Sequence, residues 1–134
     1  MHIVDIDHVV LRVKNLERSM AFYCDVLGCT EVRRVEDLGL YQFRAGAAMI
    51  DLVPLDGELG RKGGAGPRAE GRNMDHFCLR VEPFDGEAIA AHLRQHGIAC
   101  GEVQQRFGAE GNGPSLYIQD PDGNVVELKG PTTD

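Results

Sequence analysis

The segment "DHVVLRV" at residues 7–13 returns as "DHFCLRV" at residues 75–81, identical at five of seven positions. A chain that writes one strand-like segment twice is constrained to fold as two copies of one unit, each too small to bury its own sheet on both sides. The flanking pattern repeats as well. In the first copy, "DIDHVVLRV" (5–13) alternates and is rich in β-branched residues, which predicts a strand. Asn15 suits a helix N-cap, Leu16, Met20, Tyr23 and Leu27 recur at helical spacing, and Gly28 closes the segment. "TEVRRVE" (30–36), "LYQFRAG" (40–46) and "AMIDLVP" (48–54) read as three strands. The second copy runs "MDHFCLRVE" (74–82), a helix capped by Asp85 and ended by Gly97, a weak strand "CGEVQQRF" (100–107), then "PSLYIQD" (114–120) and "NVVELKG" (124–130). "DPDGN" (120–124) between the last two predicts a tight turn. The fold class is therefore α+β: two tandem βαβββ modules, residues 1–54 and 74–130, forming an open, curved β-sheet cavity. A linker at 55–73 holds six glycines, one proline and four basic residues with no period.

Strand alternation assigns chemistry to faces. Side chains on a strand change face with a period of two. Val9, Leu11 and Val13 take the helix side, which turns His8, Val10 and Arg12 the other way. Phe77, Leu79 and Val81 likewise oppose His76, Cys78 and Arg80. In the fourth strand of each module, Ile50 and Leu52 face the helix and Asp51 turns away, as Glu127 does between Val126 and Leu128. His8, Asp51, His76 and Glu127 are thus expected on inner faces, as two matched imidazole–carboxylate pairs. That donor set suits a divalent metal ion: Ni, Zn, Co, Mn or Fe(II).

Composition narrows the partners. The net charge of −7 argues against a nucleic acid as the main partner. No apolar run approaches the roughly 20 residues of a membrane span, and no secretory signal pattern opens the chain, so a cytoplasmic protein without a membrane partner is expected. The four cysteines form no C-x-x-C and read as thiols in a reducing compartment. Duplicated open sheets leave edges that predict a homodimer.

A βαβββ duplication with a strand-borne His, acid, His and Glu, and "DPDGN" just before the final Glu, resembles the vicinal oxygen chelate superfamily. This group includes glyoxalase I, fosfomycin-modifying thiol transferases, bleomycin-resistance proteins and extradiol dioxygenases. The resemblance covers essentially the whole chain and is closest to glyoxalase-I-like proteins. It implies that His8, Asp51, His76 and Glu127 are metal ligands. It also implies that Arg12 contacts the substrate. Asp51 is a departure, one methylene shorter than the Glu found in glyoxalase I, and the stretch that precedes the second histidine there is missing. The leading expectation is a metal-dependent lyase or isomerase acting on a small hydroxy-carbonyl substrate through a metal-stabilised enediolate, with Glu127 as base. The alternatives are a non-haem Fe(II) extradiol-type dioxygenase using His8, His76 and Glu127, and a non-catalytic protein that binds a drug or metabolite.

Other segments carry weaker signals. Arg80 on the inner face and Arg72 in the basic linker are candidate substrate contacts. "HLRQH" (92–96) has i, i+4 histidines but lacks the Glu of a zincin pair. "GRKGGAG" (60–66) lacks the strand and G-K-[ST] of a phosphate-binding loop. Cys78 reads as core packing. "RFGAEGNGPS" (106–115) reads as a substrate-closing loop or a long turn.

Overall fold

A computed structural model describes residues 1–133. The chain divides into two compact units, Met1–Arg68 and a second that begins at Ala69, inside the expected linker. In the first unit β1 (His8–Val13) leads through α1 (Leu16–Met20) to β2 (Thr30–Val35), β3 (Leu40–Ala45) and β4 (Ala48–Pro54). A short α2 (Glu58–Arg61) follows. The second unit holds β5 (His76–Arg80), α3 (Gly86–Gln95), β6 (Gln104–Gly108), β7 (Gly111–Gln119) and β8 (Val125–Lys129). Each unit builds one open four-stranded sheet. Their orders are β1-β4-β3-β2 and β5-β8-β7-β6, so the duplication extends to topology. In both, the first and last strands pair in parallel and the other neighbours are antiparallel. No helix among the described residues is long and apolar enough to cross a membrane.

The helices start and stop where the sequence predicts. The Asn15 side chain accepts from the Arg18 amide, and that of Asp85 from the Ala88 amide, each satisfying a donor the first turn leaves open. Gly28 and Gly97, just past the two helices, take positive φ of 80° and 71°. The first helix changes pitch after Met20 and runs as π-helix through Ala21–Val26, which period counting does not reveal. Its Phe22 and Tyr23 are buried edge-to-face at 4.9 Å. Leu11, Val13, Phe43, Ile50 and Leu52 complete the first core, and Leu93, Leu116, Ile118, Val126 and Leu128 are buried in the second unit.

Several boundaries differ from expectation, each because a strand lasts only as long as its partner. β1 starts at His8 rather than Asp5, because its pairing with β4 begins at His8↔Met49, with the Asp7 carbonyl accepting from the Met49 amide at 3.1 Å just ahead of it. β5 and β8 are trimmed in the same way. β6 begins at Gln104, and β7 starts earlier, at Gly111. The glycine-rich stretch read as a closing loop or long turn is instead a tight hairpin, with Gly108 opposite Gly111. The linker, which shows no period in the sequence, contains α2 and is clasped by Arg12. Arg12 Nε and Nη2 donate to the Gly60 carbonyl at 3.0 and 2.8 Å, Nη2 also to Gly64 at 2.5 Å, and Nη1 to Ala65 at 3.0 Å.

The "DPDGN" turn is organised by Asp120, which is 5% exposed. Its carboxylate accepts from the amides of Asp122 and Asn124 at 2.9 and 2.8 Å and from the Asn124 side chain at 2.8 Å. Removing an ionised acceptor strands these donors in a nearly dry turn. Asp120→Ala is expected to destabilise the protein by about 2–4 kcal/mol. The check is the urea midpoint; an unchanged midpoint would show that solvent satisfies the turn without Asp120.

Candidate metal-ligand pairs

In the first unit the register aligns Val10 with Asp51, and Asp51 with Gln42. Cross-strand partners share a face, so His8, Val10 and Arg12 lie on the same side of the sheet as Asp51 and Gln42. His8 Nδ1 lies 2.6 Å from Asp7 Oδ1. A carboxylate can only accept here, so this contact places the ring hydrogen on Nδ1 and leaves Nε2 with its lone pair outward. Asp51 is 3% exposed. Its Oδ2 accepts from Gln42 Nε2 at 3.0 Å, while its Oδ1 is buried without a partner. A buried carboxylate oxygen left unpaired is costly, and a cation is the natural remedy.

The His8 imidazole is raised above the usual histidine value. The Asp7 hydrogen bond is the main cause and the Asp51 charge adds to it, while desolvation opposes both.

The second unit repeats the arrangement. Glu127 aligns with Cys78 on one side and Tyr117 on the other, which puts His76, Cys78, Glu127 and Tyr117 on one face. His76 Nδ1 lies 2.7 Å from Asp75 Oδ2, and its Nε2 lies 3.3 Å from Glu127 Oε2. Glu127 is 6% exposed. The Tyr117 ring meets His76 edge-to-face at 5.3 Å, and Arg106 stacks over Tyr117 at 4.4 Å while donating to Ser115. The Cys78 thiol is pushed up to about 11, first by burial of its sulfur and then by the charge of Glu127 and a hydrogen bond to it. It is held as a neutral thiol at physiological pH, not as a nucleophile.

Within each unit, then, the structure brings the predicted histidine and carboxylate together on one face. Each unit supplies two such donors, and within neither do three His, Cys, Asp or Glu side chains gather into a metal-holding group among the described residues. The donor chemistry fits a divalent ion: neutral imidazole Nε2 atoms, carboxylate oxygens, and a buried oxygen lacking any partner. The three expected substrate arginines are engaged elsewhere. Arg12 holds the 60–65 loop. Arg72 donates to the Asp122 carbonyl at 2.7 Å and to Asn124 Oδ1 at 3.4 Å, bracing the "DPDGN" turn. Arg80 is ion-paired with Glu82 and, at 2.5 Å, with Glu110. The exposed His92, on α3, and His96, just past its end, meet ring to ring at 4.8 Å.

Reading the sequence did not single out Asp7 and Asp75, the carboxylates behind the two histidines. Their signal was present, since both copies begin "DH". Gln42 and Tyr117 carried no such signal, because only the β3–β4 and β7–β8 registers put them beside Asp51 and Glu127.

Comparison with known proteins agrees with this architecture. The "Virulence protein STM3117" of Salmonella typhimurium is 32% identical over 124 residues, covering 92% of this chain and 81% of that protein. The crystal structure of STM3117 matches with a TM-score of 0.77 at 28% identity, covering 98% of this chain and all of that one. A lactoylglutathione lyase of Salmonella typhimurium is 29% identical over 127 residues, covering 90% of this chain and 88% of that enzyme. A catechol-2,3-dioxygenase of Bacillus subtilis is 28% identical over 124 residues, which cover 92% of this chain but 40% of the enzyme. The sequence profile that matches residues 5–128 is that of the Glyoxalase/Bleomycin resistance protein/Dioxygenase superfamily, and the chain belongs to that superfamily.

Proposed function

We propose that this chain is a metal-dependent, glyoxalase-like lyase or isomerase of small hydroxy-carbonyl substrates, with His8, Asp51, His76 and Glu127 as its metal ligands. The observation that carries the reading is the matched pair in each unit. A histidine is oriented by the preceding aspartate and faces the same way as a buried carboxylate. The relative named lactoylglutathione lyase supports the reaction class. A divalent ion held by these residues would polarise vicinal substrate oxygens and acidify the neighbouring C–H. Glu127 is the base that accepts this proton and returns it to the adjacent carbon. Asp51, tied to Gln42 through one oxygen, is the stationary partner that supplies negative charge. A homodimer is part of the reading, since Ile3, Val4 and Ile6 stand exposed in the single chain.

A second reading, a non-haem Fe(II) dioxygenase using His8, His76 and Glu127, is favoured by the relative named catechol-2,3-dioxygenase. Oxygen consumption with a catechol in the Fe(II)-loaded protein would select it.

Three experiments test the leading reading. His8→Ala and His76→Ala are each expected to lose most bound divalent metal while keeping the wild-type circular dichroism spectrum. Stoichiometric metal by elemental analysis in both variants would refute the ligand assignment. Glu127→Gln keeps an oxygen donor but not the basicity. Solvent-deuterium exchange into hydroxy-carbonyl substrates at saturating metal should then fall by about a hundredfold or more, and unchanged exchange would remove Glu127 as base.

Asp7→Asn addresses the orienting carboxylate. The Asp7 bond favours the protonated His8 ring, so its contribution to folding is present below the ordinary histidine pKa. That contribution fades as pH rises through the raised value. Asp7→Asn should lower the His8 pKa, read by NMR titration of the ring Cε1–H in chelator-treated protein. It should also weaken metal binding about tenfold or more at pH 8, where the proton no longer competes. A His8 titration identical to wild type would show that Asp7 does not support the ring.

A further inference from the structure

Lys129 is 4% exposed, on the strand that carries Glu127. It stands two residues beyond Glu127 and so shares its face, with Arg80 and Ser115 as cross-strand partners. Its side chain lies across the β6–β7 hairpin, in space left by two glycines. A Cβ on Gly108 would sit 3.0 Å from Lys129 Cε, and one on Gly113 would sit 2.8 Å from Nζ. The ammonium is close enough to Cys78 and Glu110 for its charge to act on both. Yet among the described residues its side chain forms no hydrogen bond and no ion pair.

The stem of Lys129 is buried, while its ammonium is not among the buried polar atoms that lack a partner, so it emerges at the surface of this face, where no carboxylate pairs with it among the described residues. Glu110 and Glu82 are held by Arg80, and Glu127 meets His76 instead. The duplication supplies an internal control. The position two beyond Asp51 is Val53, which is 3% exposed and apolar, so the frame closes without a charge there. The lysine is an addition confined to the Glu127 half. Among the described residues of this face, Arg80 is already ion-paired with Glu110 and Arg106 donates to Ser115, which leaves Lys129 as the cation still available.

We propose that Lys129 anchors an anionic oxygen group, a carboxylate or a phosphate, on the substrate that reacts beside Glu127. The proposal deepens the lyase/isomerase reading and rests on it for the identity of the reacting face. The substrate class becomes small hydroxy-carbonyl acids or phosphates, and neutral ones are disfavoured. Lys129 acts by position and charge and takes no part in the proton transfer.

The test uses the full chain kept in a chelator, so that no metal can hold the anion. Inorganic phosphate and acetate are titrated separately while the backbone amide signals of Gly108, Gly113 and Gly130 are followed by NMR. Saturable shifts confined to that corner are expected for at least one anion, and the stronger anion tells phosphate from carboxylate. Lys129→Met retains most of the apolar stem and should weaken binding by at least about tenfold, with the remaining amide spectrum unchanged. Lys129→Gln serves the same purpose should the Met variant not fold. Equal dissociation constants in wild type and variant, or no saturable local shift with either anion, would overturn the proposal. Metal content separates this outcome from failure of the parent reading: Lys129→Met should keep wild-type metal, whereas His76→Ala should lose it.

Discussion

The parallel pairing of the first and last strands within each unit is the constraint on which the chemistry depends. It sets Val10 beside Asp51 and Cys78 beside Glu127, so that each carboxylate falls on the face of the histidine that opens the neighbouring strand. A slip of one residue would turn both carboxylates into the core. The slip is prevented from the other side of the sheet. Leu11, Val13, Ile50 and Leu52 are buried together, as are Val126 and Leu128, and burying each such side chain is worth about 1.5–3 kcal/mol. Hydrophobic packing on one face thereby fixes the geometry of the polar groups on the other.

The polar faces are unfavourable to build and are only partly compensated. Asp51 and Glu127 are buried acids, and among the described residues neither is paired with an arginine or lysine. Gln42 serves one oxygen of Asp51 and His76 approaches one oxygen of Glu127, which leaves Asp51 Oδ1 with nothing. A chain selected for stability alone would place apolar residues at both positions, since replacing buried charge with packed hydrocarbon is often neutral or stabilising. Retaining an acid in each copy points to a role outside folding.

What the sequence reveals follows from which interactions are local. Face assignment needs only a period of two, so His8, Asp51, His76 and Glu127 were legible, as were the caps Asn15 and Asp85. Strand ends were not, because the end of a strand is decided by its neighbour. β1 begins three residues later than alternation suggests, since its pairing with β4 starts at His8↔Met49. The arginines were the least legible. Arg12 sits on the expected strand, but its donors meet carbonyls some fifty residues away, a contact that no pattern around "VLRV" encodes. Arg72 reaches Asp122 and Asn124 across a comparable distance. Long, flexible cations find partners through tertiary structure, so residue type and position along the chain do not disclose their roles.

The two units also show which parts of the frame tolerate change. Both keep the Asp–His step, the parallel register and a buried acid at the same place in the last strand. The groups around that acid differ. Where one unit has Val10, Gln42 and Val53, the other has Cys78, Tyr117 and Lys129. Two copies of one unit in one chain share the same folding requirements, so a difference imposed by the fold alone would recur in both. The shared positions are the histidine, the aspartate that orients it and the buried acid, which are the proposed ligand groups. The differing positions flank the buried acid, and they give the second unit an aromatic ring, a neutral thiol and an ammonium that pairs with no carboxylate among the described residues. Such a division is expected when a fold supplies a fixed set of ligating groups and the chemistry is chosen by what is placed beside them. On the proposed reading, the choice of substrate would then lie with the groups of the β5–β8 sheet, because the first unit sets only Val10, Gln42 and Val53 around its acid.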